Sequence, residues 1–66
     1  MDDINKLHHL LEHWAEHNID HAKSYADWAE KARALGKGEL YGVLKEIAEE
    51  TQKMDLLFRR AADLCR

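Results

Sequence analysis

Five histidines, His8, His9, His13, His17 and His21, lie between positions 8 and 21 of a 66-residue chain, and four of them are spaced by exactly four residues. Side chains four apart on a helix are neighbours on one face, so consecutive rungs of such a ladder can offer two imidazole nitrogens to one cation. Each step also turns by about 40°, because a helix has 3.6 residues per turn. The ladder therefore drifts from the solvent side at His9 toward an apolar seam at His21. His13 and His21 are ~12 Å apart along the axis at 1.5 Å per residue, too far to share one ion easily. His17 becomes the common member. One helix then presents the pair His13/His17 or the pair His17/His21, and a fuller coordination sphere needs water, a carboxylate such as Glu16 or Asp20, or a histidine from a second chain. Two first helices crossing near His17 would bring ligands from both chains together.

Imidazole donors suit Ni(II), and in vitro Zn(II), Cu(II) or Co(II), with copper and nickel high in the intrinsic order. No thiolate lies near the ladder, so a closed structural zinc site is not expected. A histidine-rich site with open positions fits uptake and release. Binding needs neutral imidazole, so affinity is expected to fall as pH drops below ~6.5. The stretch His13-Trp14-Ala15-Glu16-His17 also satisfies H-x-x-E-H, an inverted zinc-protease pattern with Glu as general base. A metal hydrolase requires a cleft and a third ligand from another element, and a chain this small has neither to spare. The reading is of a binding protein and not an enzyme. His8 and His9 are read as ordinary solvated or hydrogen-bonded side chains, and Asn18 as a seam residue that sets helix register.

The elements that must position the ladder are helical. Ala, Glu, Lys, Leu and Arg make up more than half of the chain, and proline is absent. Gly36-Lys37-Gly38 is the one interruption, suited to a helix end and a tight turn. The chain thus reads as a single domain over 1–66: a helix over about 3–35, a glycine turn at 36–38 and a helix over about 39–65. Asp2 and Asp3 suit the positive end of the first helix, and Lys31, Arg33 and Lys37 its negative end.

Alternating steps of three and four from Ile4 pass through Leu7, Leu11, Trp14, Asn18, His21, Tyr25, Trp28, Ala32 and Leu35. The second helix gives Leu40, Leu44, Ile47, Thr51, Met54, Phe58, Ala61 and Cys65 in the same way. Folded at the glycines, these rows predict Trp28 beside Ile47, His21 beside Met54 and Trp14 beside Ala61. Ala15, Ala22 and Ala29 form a narrow second stripe where another helix can approach. The fold class is all-α: an antiparallel helical hairpin with coiled-coil packing, dimerising into a four-helix assembly that covers Ile4, Leu7, Leu10, Leu57 and Leu64. A chain of this size buries little apolar surface alone, and a single cysteine cannot close an internal disulfide. Dimerisation is the expected support, with folding independent of metal.

Charge narrows the partners. Ten basic against thirteen acidic residues leave a formal charge of −3, with the signs mixed along the chain, so no nucleic-acid partner is expected. No apolar run is long enough to cross a bilayer, and the opening residues lack a signal-peptide layout, so no membrane is expected and the cytoplasm is the expected compartment. The heptad is still running at Arg66 without a Gly or Asn, the pattern of a truncated helix.

The run from His13 to His21 fits H-[W/F]-x-x-H-x-x-x-H and resembles the nickel motif of the CooJ family, accessory chaperones of carbon monoxide dehydrogenase maturation. The helical character over the whole chain fits that resemblance. It implies a homodimer that holds Ni(II) through His13, His17 and His21, makes transient contact with carbon monoxide dehydrogenase or its maturation proteins, and supplies nickel for the enzyme's cluster. Members of that family carry a histidine-rich C-terminal tail that this sequence does not contain, so the tail's storage capacity does not carry over. The alternative is a coiled-coil interaction module in which His and Asn set pairing and metal affinity is incidental.

Overall fold

A computed structural model describes residues 2–65 as two antiparallel helices, α1 (Asp3–Ala34) and α2 (Gly38–Leu64), with no strand among the described residues. Asp2 stands at the N-cap of α1 without a side-chain capping bond, so the acidic start acts through charge on the helix dipole. Lys31 and Arg33 occupy the last turn, where cations are favoured. The turn is a Schellman closure: the Lys37 N–H donates to the Ala32 carbonyl at 3.0 Å and the Gly36 N–H to the Arg33 carbonyl at 3.0 Å. That geometry places the residue after the C-cap in the left-handed region, and Gly36 is there with φ 77°. Leu35 is thus the cap and not the last helical residue, and α2 starts at Gly38.

The hairpin seam differs from the predicted one. Its buried residues are Ala22, Ala29 and Ala32 in α1, Ala48 and Ala62 in α2, and Cys65 at the C-cap of α2. Leu11, Ala15, Asn18 and Tyr25 are half-buried beside them, opposite Leu44, Thr51, Asp55 and Phe58. Trp14 and Trp28, expected between the helices, are 43% and 58% exposed, and Leu40, Ile47 and Met54 are exposed as well. The row Leu11/Asn18/Tyr25/Ala32 is common to both arrangements. On one side of it stand Leu7, Trp14, His21, Trp28 and Leu35, and on the other His8, Ala15, Ala22 and Ala29. Alanine lets two backbones come close over their full length, whereas indoles would hold them apart. The helices therefore turn onto the alanine row, a rotation of about 50° from the predicted seam, one heptad position.

This rotation leaves two unlike faces. Heptad geometry puts Trp14, His21 and Trp28 of α1 on the same face as Leu40, Ile47 and Met54 of α2. The opposite face has grooves lined by Glu12, Glu16, Asp55 and Arg59 near one end and by Lys23, Lys45, Glu49 and Gln52 further along. The molecule measures 53 × 13 × 10 Å, and among the described residues no large side chain is fully buried. No helix is long and apolar enough to cross a membrane among the described residues.

Candidate metal-binding ladder

The three candidate ligands of the ladder, His13, His17 and His21, lie on the exposed surface of α1. They spiral, with His13 on the side of α1 away from α2, His17 on the flank and His21 on the apolar face between Trp14 and Trp28. The His13 and His17 rings are 6.3 Å apart between centroids and nearly perpendicular. His17 and His21 are closer, 4.4 Å apart and tilted by 35°. Tyr25 then stacks on His21 at 5.9 Å with 14° between planes, so the ladder continues into the Tyr25 ring. At the other end of the ladder the His9 ring meets His8 edge-on, 5.9 Å between centroids.

The rings are adjacent in pairs, as four-residue spacing dictates. Among the described residues, no three His, Cys, Asp or Glu side chains converge closely enough to hold a metal ion. The reason is the axial spread of the ladder: a third ring joins a pair only by a change of rotamer. Exposure leaves His13, His17 and His21 free to make that change. The donor set is therefore suited to an imidazole-binding metal without being arranged around one in advance.

His8 has a place the sequence reading missed. It is half-buried on the seam side, with a side chain 22% exposed, and its sheltered Nε2 has no hydrogen-bond partner, lying 3.9 Å from Glu12 Oε2. His9 is fully solvated, as expected, with Nδ1 3.8 Å from Glu12 Oε1. The signal for His8 was present in the seven-residue spacing that joins it to Ala15, Ala22 and Ala29.

Residues 7–65 match a family described as a domain of unknown function, DUF8180. The chain belongs to the DUF8180 family. The match spans both helices, the alanine seam and the whole ladder. An uncharacterized protein of Archaeoglobus fulgidus is similar at 33% identity over 61 residues, covering 92% of this chain and 97% of that protein. No solved structure matches the chain.

Proposed function

We propose that this DUF8180 chain is a Ni(II)-binding metallochaperone that carries the ion on His13, His17 and His21 and delivers nickel for carbon monoxide dehydrogenase maturation. The observation that carries the reading is the exposed imidazole ladder, with centroid steps of 6.3 and 4.4 Å along one helix. His17 is the shared ligand, pairing with either neighbour. Water or a second chain completes the sphere. An exposed, incompletely arranged site favours exchange over retention, which suits a carrier and not an enzyme. The client follows from the resemblance of the His13–His21 motif to the CooJ family. The same reading has the chain work as a cytoplasmic homodimer that meets carbon monoxide dehydrogenase or its maturation proteins transiently.

Calorimetric titration of Ni(II), with Zn(II), Cu(II) and Co(II) for comparison, tests this in the intact protein and in His13→Ala, His17→Ala and His21→Ala. Tight nickel binding that is lost most completely in His17→Ala supports the carrier. Binding no stronger than that of a generic histidine pair overturns it. One observation favours the second reading, an interaction module: the seam Asn18 bonded across to the Thr51 carbonyl is a device for fixing helix pairing.

A further inference from the structure

The apolar face left outside the hairpin has a specific order. Along α1 and its C-cap it reads Leu7, Trp14, His21, Trp28, Leu35, a palindrome about His21 at seven-residue intervals. Alongside run Leu40, Ile47 and Met54 of α2, between 42% and 50% exposed. The hairpin exposes 5288 Å², where a compact monomer of 7.7 kDa exposes ~4,300 Å². Its radius of gyration is 15.4 Å against the ~11 Å of a compact domain of this length. The surplus of roughly 1,000 Å² is close to what one partner contributes to a standard stable interface, about 800 Å².

We propose that this face is covered by a second copy of the chain, laid on it in the antiparallel sense, with the two-fold axis passing at the level of His21. A closed dimer requires a self-complementary patch, in which residue i meets j and j meets i. The palindrome supplies it: Trp14 lies over Trp28 of the partner subunit, Leu7 over Leu35 of the partner subunit, and His21 faces the partner's His21, so that the pair left exposed for metal in the dimer is His13/His17. Stacking the hairpins in the parallel sense instead places His21 over the apolar row of α2 in the second copy, the row of Leu40, Ile47 and Met54. That buries an imidazole without a polar partner, whereas two facing imidazoles can donate and accept between themselves. Both stackings keep neighbouring helices antiparallel, so the helix dipoles do not choose between them. The polar face with Glu12, Lys45 and Arg59 stays in solvent in either case. The inference rests on the homodimer in the reading above and adds which face pairs and in which sense. Nickel is not needed for it.

The test uses the full chain in EDTA. Sedimentation equilibrium gives the mass, and pulsed electron spin resonance measures the distance between spin labels at Lys37→Cys in a Cys65→Ala background. A dimer with a label separation of roughly 50 Å is expected, since residue 37 is about 16 residues from the axis on each side at 1.5 Å per residue. A dimer with labels within about 25 Å means parallel stacking and overturns the inference while leaving the homodimer standing. A monomer across the concentration range overturns both, and leaves nickel binding to its own titration. Trp28→Glu is expected to give monomers or at least a tenfold weaker dimer, and Gln52→Glu on the opposite face to leave the dimer unchanged. A Trp28→Glu dimer as tight as the parent also overturns the proposal.

Discussion

Asn18 Nδ2 donates to the main-chain carbonyl of Thr51 at 2.6 Å, a hydrogen bond that crosses the seam between residues 33 apart in sequence. The buried row beside it is made of alanines, which slide past one another with little to mark the correct register. A polar group that finds its acceptor at one register only supplies that mark. Asn18→Ala is expected to lower stability by about 1 kcal/mol, the usual net worth of an intramolecular hydrogen bond. Urea unfolding followed by circular dichroism reads the change. An unchanged midpoint would show that water replaces the bond at no cost.

Close approach along the alanine row makes the seam intolerant of bulk. Ala29 is 2% exposed, and Ala29→Leu must push the helices apart or distort its own rotamer, at a cost of about 1–3 kcal/mol. Ala26, three residues earlier, is exposed. Ala26→Leu is expected to stay within about 0.5 kcal/mol of the parent. Thermal melts of the pair separate crowding from any general effect of added leucine.

The hairpin itself was legible in the sequence, since Gly36-Lys37-Gly38 is the one break in a strongly helical composition. The seam was legible only in part. Two heptad rows flank the shared row Leu11/Asn18/Tyr25/Ala32, and hydrophobicity ranks the row of Trp14 and Trp28 above that of Ala22 and Ala29. Packing distance ranks them the other way, and it governs where two long helices meet along their length. His8 was misread for the same reason, because its row was not taken as the seam. The ladder's spacing could be read directly from positions 13, 17 and 21. Its side-chain convergence could not, because exposed rings take the rotamers that a ligand selects.

The two glycines at Gly36 and Gly42 should respond to alanine with opposite signs. Gly36 holds φ 77°, where a Cβ is strained even though nothing crowds it. Gly36→Ala is expected to cost about 1–2 kcal/mol. Gly42 lies inside α2 in open space, with an ordinary helical backbone. Gly42→Ala is expected to stabilise by roughly 0.5–1 kcal/mol through the entropy of the unfolded chain. Melting temperatures shifting in the same direction would contradict this account of the turn.

Metal and fold are separable if the ladder lies outside the seam, and thermal melts can show it. His17 is exposed and contributes nothing to the alanine core, so EDTA should leave the melting temperature of the parent unchanged, and His17→Ala should melt within about 0.5 kcal/mol of the metal-free parent. Added Ni(II) binds more tightly where the helix holds two rings four residues apart than it binds the unfolded chain. Linkage then predicts a stabilisation of at most about 2.7 kcal/mol at a free nickel concentration one hundred times Kd, absent in His17→Ala. Protons compete with nickel for imidazole nitrogen, so the nickel-induced shift should shrink as pH falls. A parent protein that unfolds on chelation would place the histidines inside the stabilising structure and overturn the separation.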